Sequence, residues 1–107
     1  MNEMGPKTTE LVGLMIELDE LLARFGRDHW SKWVREDVAR IKNSDFAGVQ
    51  HFLSAFGGMG SLNDVYFCPE NCDRIQEDQV EKVNGDLSSL LSRCWELATA
   101  IAHEAEY

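Results

Sequence analysis

VEKVNGDLSSLLSRCWELATAI, residues 80–101, is the stretch on which the fold turns. Val80, Val83, Leu87, Leu90, Cys94, Leu97 and Ile101 recur at alternating steps of three and four. Such spacing returns to one side of an α-helix, since two turns hold about seven residues. Leu91 and Ala98 widen the stripe, and Trp95 is expected in the core by residue type. Asn84-Gly85 falls inside it, so the pattern predicts either one long helix or two in line, the second starting at Asp86 or Ser88. The seam suits a coiled coil between chains or the central helix of a bundle. Three more amphipathic segments in the same chain favour the bundle.

Upstream, Gly5-Pro6 opposes helix, so residues 1–7 are expected to form a tail. Thr8 or Thr9 then caps a first helix, with Leu11, Leu14, Met15, Leu18, Leu21, Leu22 and Phe25 on one face and Gly26 as its stop. Asp28 is expected to cap a second helix, with Trp30, Trp33, Val34, Val38 and Ile41 inward. Ser44 or Asp45 opens a third and shorter one, with Phe46, Val49, Phe52, Leu53 and Phe56 inward. Gly48 inside it costs about 1 kcal/mol relative to Ala, so this helix must depend on packing. The expected fold is all-α: one domain over residues 1–107, a bundle of about four helices. An irregular Gly-rich loop and a short extended segment interrupt it.

A chain of 107 residues with 44% apolar content can bury a core without metal or disulfide. It holds 19 acidic and 10 basic residues, a formal charge of −9. That balance repels nucleic-acid backbones and anionic membranes, and it steers association toward basic partners. MNEMGPKTTE lacks the basic and apolar regions of a signal peptide, and no apolar run approaches the roughly 20 residues of a membrane span. Three cysteines do not make a disulfide framework. The cytoplasm is the expected compartment.

FGGMGSLNDVYF, residues 56–67, raises the question of a phosphate loop. A Walker loop needs Gly-Lys-Ser/Thr, and here Ser61-Leu62 follows Gly60. A dinucleotide fingerprint needs a strand before its glycines, where this chain has a helix. A structural turn fits better. Gly57 is placed to end the helix in left-handed conformation, and Gly58 and Gly60 allow positive φ. Ser61 and Asp64 have capping-box spacing, and Val65-Tyr66-Phe67 is β-prone.

Phe56-Gly57-Gly58-Met59-Gly60-Ser61-Leu62-Asn63-Asp64, preceded by the helix carrying Trp30 and Trp33, resembles the signature of a group of small bacterial proteins. In size and charge the chain is similar to the immunity proteins of contact-dependent growth-inhibition systems. The resemblance implies a non-catalytic binding protein that neutralises a cognate toxin domain by covering its active site. It carries no contact residue over.

Candidate contacts come instead from charge. Glu70, Asp73, Glu77, Asp78, Glu81 and Asp86 crowd the stretch between Cys68 and Leu87, with only Arg74 and Lys82 opposing. On a helix Asp73, Glu77 and Glu81 would share a face and repel one another. A basic toxin cleft would relieve that repulsion; an ordinary solvated helix start explains the same acids through the helix dipole. The candidate partner-binding residues are Glu70, Asp73, Glu77, Asp78 and Glu81, with Asp64 as an outlier. Cys68 and Cys72 supply two thiols where zinc wants about four ligands, even with His51 and Cys94 in mind, so no cofactor is expected. A Cys–His nucleophile pair with His51 is a further alternative, and pairing of chains through residues 80–101 another. The chain is expected to be a monomer or a weak homodimer.

Overall fold

The computed structural model describes residues 4–71 and 73–104. Its first helix, α1 (Pro6–Arg24), starts earlier than expected. Pro6 opens the helix, at a position where its missing N–H is not needed and its fixed φ is already helical. Neither Thr8 nor Thr9 is the cap: Gly5 is, and the Thr9 hydroxyl donates to the Gly5 carbonyl at 3.0 Å. Leu11, Met15, Leu18 and Leu22 are fully enclosed, each contributing about 2 kcal/mol of apolar burial. Gly26, at φ +91, ends the helix as expected.

The second helix, α2 (Asp28–Lys42), buries Ser31, Val34, Asp37, Val38 and Ile41. Arg27, one residue before the expected Asp28, occupies the cap position. Trp30 and Trp33, expected in the core, are only partly covered. The third helix, α3 (Ala47–Leu53), follows a turn in which Ser44 takes φ +62 and Asp45 Oδ1 accepts from the Ala47 amide at 3.0 Å. Phe46 was expected inward and is instead 56% exposed.

Gly48 has a packing reason. A Cβ there would stand 2.9 Å from Arg40 Cβ, 3.0 Å from the Asp37 carbonyl and 3.0 Å from Ile41 Cγ1. Two backbone-anchored atoms cannot swing aside, so α2 and α3 approach closely only because residue 48 has no side chain. Helix propensity alone favours Gly48→Ala by about 1 kcal/mol, while overpacking costs about 1–3 kcal/mol. The expected net result is destabilisation by up to about 2 kcal/mol in urea unfolding. A variant more stable than the parent would remove the close-approach explanation.

The fourth helix, α4 (Val80–Glu104), runs unbroken through Asn84-Gly85. It buries Leu87, Leu91, Cys94, Leu97, Ala98 and Ile101, while Val80, Val83 and Leu90 are partly covered. The inward stripe is therefore centred nearer to Leu91 and Ala98 than the heptad count placed it. Cys94 is a core residue, and burial pushes its thiol up to about 12. α1 packs against both α2 and α4, and α3 spans between α2 and α4. The chain is an all-α, single-domain helical bundle with one core, and no strand occurs among the described residues. No helix among them is long and apolar enough to cross a membrane.

Candidate partner-binding surface

Residues 54–71 and 73–79, between α3 and α4, hold no helix longer than one turn. The glycine stretch is pinned by Leu62, fully buried, whose amide donates to the Ala55 carbonyl at 2.8 Å. Two side chains then close the loop on itself. Asn63 Oδ1 accepts from the Gly57 amide at 3.0 Å, and Asp64 Oδ2 accepts from the Gly60 amide at 3.0 Å. Gly60 takes φ +83, whereas Gly57, expected to be left-handed, does not. The expected Ser61–Asp64 capping box does not form, because the Asp64 carboxylate is held by Gly60 and Ser61 Oγ donates to the Gly58 carbonyl. Beyond it the chain runs extended, so side chains alternate. Phe67 is fully buried, and Tyr66 is 52% exposed.

The predicted acids divide. Asp73 does not share a helix face with Glu77 and Glu81, because α4 begins only at Val80. Its side chain is 4% exposed and receives a forked pair from Arg27: Nε to Oδ1 at 2.7 Å and Nη2 to Oδ2 at 3.0 Å. The Cys68 amide donates to Oδ2 as well, at 3.0 Å. Hydrogen bonding from Arg27 holds the Asp73 carboxyl below the usual carboxylate range, and Asp73 in turn raises Arg27. Arg27 also donates to the Tyr66 carbonyl at 3.0 Å, so the pair ties the extended segment to the start of α2. Asp73 is thus engaged inside the protein, and Asp64 is held by its own loop. Glu70, Glu77, Asp78 and Glu81 are exposed, and none of the four side chains makes a hydrogen bond or ion pair among the described residues. Glu77 and Asp78 sit in a single 3₁₀ turn leading into α4, on which Glu81 lies in the first turn.

A second polar cluster escaped the sequence reading. Asp37 is fully buried; its Oδ1 lies 2.7 Å from His51 Nδ1 and 3.4 Å from Arg40 Nη1. The His51 ring stacks on Trp33, with centroids 4.1 Å apart and an interplanar angle of 11°. Burial pushes the Asp37 carboxyl up, against the pull of His51 and Arg40. The visible signal was Asp37 itself, a charge among the inward positions Val34, Val38 and Ile41. With its ring nitrogen committed to Asp37 and its face to Trp33, His51 clamps α3 to α2. It shows no pairing with Cys68, and the part of that reading resting on Cys72 lies outside the described residues. No group of three or more metal-ligating side chains occurs among the described residues.

The outer face of α4 carries the other unexpected feature. Trp95, expected in the core, is 46% exposed. It borders a hollow of about 550 Å³ with Phe56, Gly57 and Asn63. A neighbouring hollow of about 420 Å³ runs on past Val65 to Tyr66, and the two share Asn63, Leu91 and Ser92.

This helical bundle with a self-closed glycine loop belongs to a defined family. The model of the domain of unknown function DUF6966 matches residues 23–76, half of the chain, and the protein is a member of that family. The matched span holds both the Arg27–Asp73 fork and the Asp37–His51 clamp, and it ends before α4. No curated protein and no solved structure matches the chain.

Proposed function

We propose that the protein is a binding module of the immunity type, which neutralises a basic bacterial toxin domain in the cytoplasm by covering its active site. The observation that carries this reading is the set of exposed, unpaired acids at Glu70, Glu77, Asp78 and Glu81, on a chain of net charge −9. A nuclease toxin must present cations to hold phosphate, and such acids imitate that substrate and speed encounter. The size of the chain and its FGGMGSLND signature support the same role. No catalysis by this chain is required, and a monomer is sufficient.

The test pairs this chain with the product of a toxin-like reading frame, sought beside its own gene. Co-expression should rescue growth, and association should slow markedly as ionic strength rises. Reversing Glu77, Asp78 and Glu81 together to Lys should cut the association rate by about tenfold or more at low salt, with the helical circular dichroism unchanged. Unaltered binding by that triple variant would move the interface elsewhere. Absence of growth rescue by the parent chain would remove the immunity role.

A further inference from the structure

On α4, Glu81, Ser88 and Trp95 are spaced by seven, with Ser92 between the last two. They therefore lie along one stripe, about 21 Å from end to end at the helix rise of 1.5 Å per residue. All four are exposed. The unpaired acids gather at the stripe's first end, and the half-exposed indole stands at the other. The glycine loop and Val65-Tyr66 wall one side, forming the two joined hollows beside Leu91 and Ser92. We infer that this stripe and its hollows are one docking face for a protein segment that presents an apolar side chain beside Lys or Arg.

Three observations select that occupant. The floor and ends are apolar or aromatic, with Phe56, Leu91, Trp95 and Tyr66, so a hydrocarbon side chain gains by entering. Exposed Trp and Tyr at the rim of a hollow are the residue types that dominate binding energy in protein interfaces. No Lys or Arg lines either hollow, whereas Glu96 lines the first and Glu81 leads into the second along the helix. The groove between α1 and α4 differs: there Arg24 and Arg93 stand among Glu17, Glu20 and Asp86, so an incoming Lys or Arg meets like charges. The apolar hollow near Trp95 would anchor the partner, and the acids would steer it in. The inference deepens the proposed binding role by giving the acids an anchoring site.

The test needs no toxin, so its failure removes this face alone, while the growth-rescue assay decides the role. The full chain is titrated with three synthetic peptides of equal length. One carries Leu and Phe between Lys and Arg; one carries the same apolar residues between Glu; one is basic with Ser in the apolar places. Only the first should saturate, shifting the Trp95 indole and the Ser88 and Ser92 amide resonances. Trp95→Ala, at a half-exposed position, should weaken it by about tenfold or more while the helical circular dichroism stays at the parent level. Tyr66→Ser should weaken it as well. The inference is overturned if the first peptide does not saturate, if Trp95→Ala binds it equally, or if the shifts fall at Leu14 and Leu90. A concentration-dependent dimer that hides Trp95 in the free chain would overturn it too.

Discussion

Asp73→Ala is expected to destabilise the protein by about 3 kcal/mol, the lower part of the range for a buried ion pair that loses one partner. The lower part applies because the Arg27 side chain is 26% exposed and can recruit water, while Asp73 is 4% exposed. Three hydrogen bonds vanish at once: two from Arg27 and one from the Cys68 amide. The guanidinium, 5.7 Å from the Phe67 ring centre, then loses the carboxylate that holds it there. Urea unfolding of parent and variant measures the loss, and an unchanged midpoint would show the fork to be ornamental. The pH dependence has a definite sign. The folded carboxyl is depressed, so the unfolded chain takes up the proton first. The Asp73 contribution is therefore fully present above the unfolded value of about 3.9, and it is lost as pH falls through the folded value. The stability gap between parent and Asp73→Ala should close below about pH 4. Asp37 runs the other way: its folded carboxyl is raised, so its contribution is fully present below the unfolded value and is lost as pH rises through the folded one. Taking the difference between parent and variant isolates Asp73, because Asp37 is common to both.

The same two carboxylates show what could be seen in the sequence. Helices α1, α2 and α4 were legible because a 3.6-residue period is local, and each carries enough apolar positions to reveal it. Gly26 was legible because a left-handed stop follows the last inward residue. Asp73 was misplaced because its partner Arg27 is 46 positions away, and charge alone reads as surface. Pro6 reads as a barrier in the sequence because a breaker inside a helix and a starter at its first position are the same residue. Residue type alone places Trp95 inside, although its neighbours Ser92 and Glu96 are exposed and mark that side of α4 as the outer one. The docking face is formed across the chain, by α4 and the 56–66 loop together, and no local pattern describes it.

Asn84 is the sharpest case, because local and tertiary arguments predict opposite signs. Asn-Gly is a turn signal, and Asn is a poorer helix former than Ala by several tenths of a kcal/mol. If Asn84 were only a flaw in α4, Asn84→Ala would stabilise the protein. In the structure its side-chain amide pairs with the main chain of Phe67 as a strand would. Oδ1 accepts from the Phe67 amide at 2.8 Å, and Nδ2 donates to the Phe67 carbonyl at 2.8 Å. Nδ2 also donates to the Val80 carbonyl at 2.8 Å, which holds the first turn of α4. Phe67 is fully buried, so Asn84→Ala strands two main-chain groups away from water, at about 1–3 kcal/mol each. Less the propensity gain, the expected loss is about 3 kcal/mol in urea unfolding, with faster hydrogen exchange at the Phe67 amide. Asn84→Asp sharpens the test. Its carboxylate keeps the bond from the Phe67 amide but faces the Phe67 carbonyl without a proton to donate. It should be as harmful as Ala at neutral pH and recover as pH falls, because the protonated carboxyl can donate where the amide did. A stabilised Asn84→Ala, or an Asn84→Asp protein indifferent to pH, would mean that the extended segment is held by Phe67 packing alone.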